Sequence, residues 1–273
     1  AIDQTKQLSF TDGDSTPYDV SLSYANNEWK QFTQEIRLAS DASKPFSWIA
    51  GAHYFDEDLD ANGVSARVNK LQPNGISNQT ASNPAFRQTT VDQSNQSFAL
   101  FGNSTYRFTD AFSLTGGLRW TWEKKDLALN LLQYQTADTS SGAWWTKEGY
   151  NNISYVTASG ANGTENRKKT WKEFTYDITP EYQISEDVKT YFKYAHGFRS
   201  GGFNTGISGS LSQLSTVDPE YLDSYELGIK SQLLDGNLIA NANVFYYDYQ
   251  DIQTNLLVNV QGEGGGVTSV LTN

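Results

Sequence analysis

Three acidic side chains spaced four residues apart form the most suggestive catalytic pattern in this chain. Glu173, Asp177 and Glu181 share one parity, so they would lie on the same face of a β-strand. Paired carboxylates can act as general acid and nucleophile in glycoside hydrolysis. The same residues also suit the polar lining of a β-barrel, where they would pair with Arg or Lys from neighbouring strands. We favour the lining, and we predict no catalytic residue and no enzymatic activity.

A second acidic pattern resembles the start of a calcium-binding loop. Asp56, Asp58 and Asp60 match its first three ligand positions, but Ala61 stands where the loop needs glycine and Arg67 where it needs glutamate. We therefore expect a solvated acidic loop and no metal site.

The sequence does not supply the residues that a zinc, phosphate or dinucleotide site needs. The chain has no cysteine and only two histidines, His53 and His196, which are too few for a zinc site. We expect both to pack at an interface or to be solvated. No phosphate-binding loop, nucleophile elbow or dinucleotide fingerprint occurs, so we expect no cofactor. The net charge of -11 argues against nucleic acid, because a phosphate-binding surface needs a basic stripe.

Three aromatic residues in a long polar segment are candidates for ligand contact: Trp144, Trp145 and Tyr150. Exposed rings on a loop can stack on a sugar or a catechol. Packing within the loop, or at a membrane headgroup boundary, would explain the same residues. The sequence leaves both interpretations open.

Strands must position these candidates, and the clearest hairpin runs from Phe98 to Trp122 about a turn at 109–111. If Phe108 is opposite Phe112, even-numbered residues meet across the whole hairpin and Phe98 falls opposite Trp122. The odd face carries Arg107, Arg119 and Glu123. A soluble sandwich, or a barrel with lipid outside and water within, can show this pattern. In a barrel the even face would meet lipid through Phe98, Leu100, Leu114, Leu118, Trp120 and Trp122.

The first hairpin of the chain follows a polar stretch, 1–28, which reads as loop. Alternation begins at Trp29. Pairing Ser40 with Phe46 would set Leu38 opposite Trp48, with matched faces.

A third hairpin joins 171–184 to 188–198. Pairing Ile184 with Val188 matches the apolar faces, and we predict a β-bulge at Pro180 because proline removes a ladder donor. Its lipid-facing residues would be Tyr176, Ile178, Phe192 and Tyr194.

The fourth hairpin has the best turn signal, Asp235-Gly236 between alternating runs. This dipeptide predicts a two-residue type I′ turn. Its lipid-facing residues would be Leu227, Ile229 and Val244.

Short and long connections alternate along the chain. Tight turns separate the strands of each hairpin, whereas polar segments of roughly 40 residues, 56–94 and 125–168, separate successive hairpins. A Gly-rich segment, 262–266, lies near the end. Outer-membrane barrels show this alternation, with short periplasmic turns and long extracellular loops. No apolar run approaches the ~20 residues of a membrane helix.

The segment Tyr191–Asn204 resembles the TonB-dependent outer-membrane receptors, whose barrels carry a Y-x-x-Y-x-x-G-[FY]-[KR]-x-G-G-[FY]-N motif. Arg199 and Asn204 belong to this motif and would lie at the barrel mouth, where they are weaker candidates for ligand contact. Further stretches resemble the same family, in its order and spacing: 32–40, 116–120, 218–220, 224–230, 244–249 and 251–253.

The resemblance implies an antiparallel transmembrane β-barrel of 22 strands around a plug domain, in the outer membrane of a Gram-negative bacterium. It implies energised uptake of a bulky ligand, most often a ferric siderophore, through the TonB–ExbB–ExbD system. We expect residues 1–273 to be a partial barrel of about eight strands without plug domain or TonB box. Alternatives are uptake of cobalamin, haem or oligosaccharide, a passive porin-like or structural barrel, and a soluble carbohydrate-binding protein.

Overall fold

The computed structural model describes residues 2–12, 21–67, 71–72, 75–76, 86–137, 155–157, 162–205, 211, 214–260 and 266–273. Their regular structure is β. The strands are β1 Ile2–Asp12, β2 Ser21–Ala39, β3 Phe46–Arg67, β4 Leu71–Gln72, β5 Gly75–Ile76, β6 Phe86–Arg107, β7 Phe112–Ala137, β8 Tyr155–Thr157, β9 Gly163–Ser185, β10 Val188–Arg199, β11 Gly202–Asn204, β12 Ser215–Val217, β13 Glu220–Leu233, β14 Leu238–Gln250, β15 Thr254–Val260 and β16 Gly266–Thr272.

One large antiparallel sheet contains all the long strands. Its order is β1-β2-β3-β6-β7-β9-β10-β13-β14, with β8 added to β7, so each long strand pairs with the next one along the chain. Three two-stranded pairs stand apart: β4–β5, β11–β12 and β15–β16. β1 and β14 are the edges of the large sheet, which is therefore open over the described residues. In that part of the chain no helix is long and apolar enough to cross a membrane.

The hairpin of β6 and β7 has the predicted register. Phe98 lies opposite Trp122, and the pairing continues without a shift from the turn to Phe86 opposite Tyr134. The Thr109 hydroxyl accepts hydrogen bonds from the backbone N–H groups of Ala111 (3.2 Å) and Phe112 (2.9 Å). This local cap fixes the turn and hence the register.

The first hairpin, β2–β3, differs from its prediction by two residues. Leu38 lies opposite Ala50, not Trp48. The reason is the turn, in which the Asp41 carboxylate accepts a hydrogen bond from the backbone N–H of Ser43 at 2.9 Å. This arrangement adds residues to the connection, and an even shift leaves every side chain on its predicted face.

The third hairpin, β9–β10, keeps its predicted register, with Ile178 opposite Tyr194. The predicted bulge is misplaced. The register shifts at Val188/Lys189, next to the turn, whereas Pro180 lies opposite Leu114 in an unshifted β7–β9 ladder. The ladder can pass proline without a bulge, because losing one donor removes a bond without displacing the strand.

The fourth hairpin, β13–β14, also keeps its register, with Leu227 opposite Val244. Asp235 and Gly236 have φ of 52° and 86°, as a type I′ turn requires. Leu234 also has a left-handed φ of 56°. The backbone N–H of Asn237 donates to the Leu234 carbonyl at 3.1 Å, which closes the turn.

Several segments predicted as loops are strands. β1 and the first part of β2 occupy the N-terminal stretch, and the polar segments contribute the far ends of β3, β6, β7 and β9. Residues 266–272 of the C-terminal region form β16. Polar pairs support these extensions: the Lys6 ammonium lies 2.8 Å from the Glu28 carboxylate, across β1 and β2. Most of these polar segments lack the apolar alternation that reveals a half-buried strand.

Candidate functional site

The six charged residues predicted to line a lumen share one face of the sheet, which we call the inner face. They meet odd-numbered partners throughout the β6–β7 and β7–β9 ladders. That this face lines a lumen stays a prediction. The six are Arg107, Arg119, Glu123, Glu173, Asp177 and Glu181.

The residues predicted to meet lipid share the opposite face, which we call the outer face. Leu118 and Val244 are 55% and 68% exposed, as expected of side chains that need an external apolar medium. The assignment to lipid also stays a prediction. The full set on this face is Phe98, Leu100, Leu114, Leu118, Trp120, Trp122, Tyr176, Ile178, Phe192, Tyr194, Leu227, Ile229 and Val244.

Near the short turns, inner-face charges have local partners. The Arg107 guanidinium donates to the carbonyls of Ala42 (3.2 Å) and Lys44 (2.9 Å), joining β6 to the neighbouring turn. The Glu181 carboxylate lies 3.3 Å from the Lys189 ammonium on β10. Of these two sets of contacts, the Glu181–Lys189 pair joins charged side chains of neighbouring strands, as predicted for lining charges, whereas Arg107 binds backbone carbonyls.

The three acidic residues of β9 do not form a catalytic pair. Four residues along a strand span roughly 13 Å, beyond the ~5–9.5 Å of glycosidase carboxylates. The Tyr221 hydroxyl donates to Glu173 at 3.1 Å. Asp177 lies over Gly117 on β7, where an added Cβ would stand 2.4 Å from the carboxylate. This spacing argues against a catalytic pair, and the lining role of the three residues stays a prediction.

The far end of the inner face, toward the long connections, carries a cluster around Trp171. Trp171 is 6% exposed. Lys125 and Lys169 each place an ammonium 5.5 Å from a ring centroid of this tryptophan, and the Phe203 ring lies 6.3 Å away. Gly201 lets the backbone approach the indole, since an added Cβ would come within 2.6 Å of it. We call these five residues the Trp171 cluster.

Hydrogen bonds and ion pairs fix the two cations of this cluster. The Lys125 ammonium donates to the Gly201 carbonyl at 2.7 Å and lies 3.0 Å from the Glu123 carboxylate. Lys169 pairs with Asp218. The chain after β10 is therefore attached to β7 and β9.

An apolar cluster adjoins the Trp171 cluster on the inner face. Leu129 and Leu131 of β7 are fully buried. Leu214, from the segment between β11 and β12, covers them. This cluster was not predicted from the sequence, although a signal existed: beyond Glu123 the apolar residues of β7 change from even to odd parity. The cluster comprises Val91, Leu127, Leu129, Leu131 and Leu214, with Ala61, Phe203 and Leu211 packed against it.

The C-terminal residues join the same region. The Gln253 side-chain amide donates to the carbonyls of Ser200 (3.0 Å) and Asp218 (2.9 Å). The Asn273 side-chain amide donates to the carbonyls of Asp218 (3.0 Å) and Asp251 (2.7 Å). A continuous polar network thus links the segment that follows β10 to the segment that follows β14.

The residues predicted to contact a ligand have different positions. Arg199 is at the end of β10, with its guanidinium 3.8 Å from the Glu220 carboxylate and its side chain 66% exposed. Asn204 is 5% exposed. Trp144, Trp145 and Tyr150 lie outside the described residues. Ligand contact stays a prediction for all five, and Arg199 is the more accessible of the two described.

Neither the aspartates of the predicted calcium-loop pattern nor the two histidines come together as metal ligands in the described residues. Asp56, Asp58 and Asp60 belong to β3, not to a loop, so their side chains are spread along an extended strand. Within the described ranges, no three His, Cys, Asp or Glu side chains are grouped to hold a metal ion.

His196 lies on the outer face within a tyrosine cluster. Its ring stacks on Tyr176 (4.9 Å) and Tyr221 (5.8 Å). Its Nδ1 lies 2.8 Å from the Asp223 carboxylate, which also accepts a hydrogen bond from the Tyr194 hydroxyl at 2.9 Å. This histidine therefore packs among aromatic rings, and its interfacial position stays a prediction.

Charged side chains occupy the outer face beyond its aromatic residues. The hydrogen bond from Lys124, whose ammonium is 2.6 Å away, holds the pKa of Asp126 below its usual value. On β6, desolvation of the carboxyl raises the pKa of Asp92 even though the residue as a whole is exposed. The hydrogen bond with Asp60 and its negative charge add to this increase.

Comparison with known proteins gives one family over nearly the whole chain. A family model described as TonB dependent receptor-like, beta-barrel matches residues 3–273. The solved structure of the ferric yersiniabactin uptake receptor FyuA from Yersinia pestis is similar, with 16% identity, a TM-score of 0.68, and coverage of 92% of this chain and 33% of that one. The siderophore receptor PiuA from Acinetobacter baumannii is similar with 17% identity and a TM-score of 0.54, over 88% of this chain and 34% of that one.

At these identities the two structures support the fold alone. The chain spans about one third of the length of each.

Proposed function

The chain belongs to the TonB-dependent receptor-like β-barrel family, and from that premise we propose that it forms part of a transporter for a bulky, scarce ligand such as a ferric siderophore. Proteins of this family are transport receptors of the Gram-negative outer membrane and are not enzymes. In the proposed function no bond is made or broken. A ligand is captured at the mouth, and transport is energised through TonB, ExbB and ExbD.

The Trp171 cluster carries the proposal. A barrel that only spans a membrane needs an apolar outer face and a hydrated inner face, and it does not need a connection packed back onto the inner wall. Here Lys125 and Trp171 contact the segment after β10. Farther along this segment, Leu214 packs against Leu129 of β7. A mouth with fixed inner walls suits the capture of a large ligand better than free diffusion of small solutes.

Arg199 and the loop aromatic residues are the proposed ligand contacts. Arg199 presents a largely exposed guanidinium at the end of β10, and guanidinium groups bind carboxylates and phenolates through charge-assisted hydrogen bonds. Trp144, Trp145 and Tyr150 would stack on a planar ligand. Anionic, aromatic chelators of ferric iron fit this set.

Uptake in a deletion strain tests the transport proposal. Cells that lack the gene, with and without a plasmid copy, are supplied with ⁵⁵Fe on a panel of ferric siderophores under iron limitation. We expect plasmid-dependent uptake of at least one of them, which stops when TonB is deleted. Uptake that continues without TonB would identify a passive barrel, whereas growth on cobalamin, haem or an oligosaccharide alone would replace the ligand class.

Two matched variants test the mouth. R199Q is expected to weaken ligand binding severalfold, because it removes one charge at the mouth. R37Q removes an equally exposed charge near a short turn, where the guanidinium pairs with Glu35, and should leave binding unchanged. Equal effects of the two variants would reject the assignment of Arg199.

A further inference from the structure

Two exposed charges of opposite sign lie among the aromatic residues of the outer face. Lys172 of β9 is opposite Trp122, and Asp248 of β14 is opposite Asp223. Both residues are exposed, and neither forms an ion pair with another described residue. Charged groups on the lipid side of a membrane protein are costly and indicate a function, so each of the two charges calls for a partner outside this sheet.

The two charges lie at the same height in the membrane orientation proposed above. Each is about 13 residues from the short turn of its own hairpin, or roughly 43 Å along the strand. Because short turns lie on the periplasmic side, equal distances along equally tilted strands give equal heights. Trp122 and Tyr246 lie beside the two charges. Aromatic rings concentrate at the membrane–water interface, so both charges belong to that level.

Lys172 and Asp248 are too far apart to pair with each other in one molecule. The ladders place Asp248 in one row with Asp223, His196 and Tyr176. This row crosses three strand spacings, and Lys172 lies about four residues beyond it, so the two charges are roughly 19 Å apart. Each charge can therefore be neutralised only from outside.

An aromatic cluster occupies the space between the two charges. The Tyr194 ring lies 6.0 Å from the Tyr176 ring and 5.0 Å from the Tyr225 ring. Tyr176 and Tyr225 are also partly exposed on the outer face. Tyrosine is enriched at the centres of protein–protein contacts, where its ring packs and its hydroxyl forms hydrogen bonds. We call the following five residues the tyrosine cluster: Tyr176, Tyr194, His196, Tyr221 and Tyr225.

Opposite charges at equal height on the two sides of this cluster make the surface complementary to itself. A two-fold axis along the membrane normal, through the tyrosine cluster, exchanges its two sides. Lys172 of one protomer then meets Asp248 of the partner subunit, and the same pair forms a second time. Two-fold contacts of this kind are the commonest in homo-oligomers. A partner surface of uniform charge would neutralise one of the two residues and repel the other.

We propose that this surface is the contact between two copies of the protein in the outer membrane, with the tyrosine cluster at its centre and reciprocal Lys172–Asp248 ion pairs at its sides. Packing of the rings supplies most of the affinity, and the ion pairs fix the relative position of the two copies. The inference rests on the membrane orientation of the proposed function but not on the transported ligand. Since the contact is on the outer face, the mouth of each copy stays open.

Disulfide formation between two copies tests the contact, because residues 1–273 contain no cysteine. In the complete protein, any cysteine outside this range is first replaced by serine. K172C and D248C are introduced singly and together, and outer membranes are oxidised with copper phenanthroline before non-reducing electrophoresis. We expect a linked dimer from K172C/D248C, and from cells that express the two single variants together. Each single variant alone should stay monomeric.

A control pair separates the contact from random collision in the membrane. Lys30 of β2 is another exposed lysine of the outer face, with its side chain 58% exposed, so K30C/D248C should give no dimer. A disulfide within one molecule is excluded for K172C/D248C, because it needs Cα atoms within ~7 Å. No dimer from K172C/D248C, equal dimer from the control pair, or linkage only to a different membrane protein would overturn the proposal.

Exchange of the two charges tests the reciprocal pairing without cysteine. K172D and D248K each place like charges across the contact, and we expect dimerisation at least tenfold weaker than in the wild type, measured by sedimentation in a mild detergent. K172D/D248K restores opposite charges and should recover the dimer, whereas K30D should dimerise like the wild type. Unchanged dimerisation in the single variants, or no recovery in K172D/D248K, would overturn the proposal.

The dimer and the proposed function can fail separately. A protein that stays monomeric in the outer membrane, with TonB-dependent uptake intact, would refute only the dimer. A protein that does not fractionate with the outer membrane would refute the membrane orientation and, with it, both proposals. Uptake per molecule should be the same in K172D as in the wild type, because the contact does not cover the mouth.

Discussion

The ring of Tyr191 on β10 lies over Gly228, its direct neighbour on β13. A Cβ added at Gly228 would stand 2.4 Å from the ring. The ring is held there from two sides: its hydroxyl donates a hydrogen bond to Glu226, and the Lys230 ammonium lies 5.3 Å from its centroid. Glycine thus provides the space in which a large inner-face ring packs flat against the sheet.

Substituting G228A should destabilise the protein by about 1–3 kcal/mol, because the Tyr191 ring must leave its position. Thermal unfolding in detergent measures the change. G102A is the matched control, since its added Cβ would meet nothing closer than 3.8 Å. In a Y191A background the effect of G228A should nearly vanish; an undiminished effect would show that the ring is not the cause.

Local sequence signals predict the registers of the hairpins whose turns have simple chemistry. Phe98 meets Trp122 and Leu227 meets Val244 because a short turn and a period of two leave one register with matched faces. The register predicted for β2–β3 was wrong by two residues, since the Asp41–Ser43 hydrogen bond lengthens the connection. Alternation therefore predicts which face of the sheet a residue lies on more reliably than it predicts the residue opposite it on the next strand.

Other features depend on contacts that no local pattern encodes. The polar ends of the strands are held by backbone pairing between distant segments, as where Lys6 meets Glu28. The contact of Leu214 with Leu129 requires a connection to fold back on the sheet. The parity change of the leucines after Glu123 marked the wall of this cluster, but nothing in the sequence marked the segment that covers it.

The β13–β14 turn contains a correctable strain. Leu234 has φ of 56°, a left-handed conformation that disfavours a side chain branched beyond Cβ by about 1–2 kcal/mol. Asparagine tolerates this conformation, so L234N should raise the stability by about 1 kcal/mol. L233N changes a regular ladder residue, opposite Leu238, and should not stabilise. Equal shifts in the thermal midpoint for both variants would contradict the strain argument.

Two aspartates on the outer face predict opposite pH effects. Desolvation and Asp60 raise the pKa of Asp92 in the folded state, so the fold binds this proton more tightly and its stability rises as pH falls through the raised pKa toward about 4. D92N should therefore stabilise the protein near pH 7.5, and the difference from wild type should shrink in acid.

Asp126 should have the opposite effect on the pH dependence of stability. The hydrogen bond from Lys124 lowers its pKa, so its contribution is present above pH ~4 and is lost as pH falls through the lowered value. D126N should destabilise near pH 7.5, with the difference again disappearing in acid. Thermal midpoints of both variants between pH 2 and 8 measure the effects. Shifts of the same sign at pH 7.5 would contradict these assignments.

The connection after β10 should open locally more often when its apolar contact with Leu129 is removed. Leu129 is fully buried against Leu214, and a Leu-to-Ala change at such a site costs about 2–5 kcal/mol. In L129A this loss should fall on local opening of the cover, not on the ladder of β7. Amide hydrogen exchange in β11 and β12 should accelerate at least tenfold, while exchange in the β6–β7 ladder stays slow. L118A removes the same atoms from an exposed position on the same strand and should leave both rates unchanged. Unaltered exchange in L129A, or equal acceleration in L118A, would mean that Leu214 does not hold the connection in place.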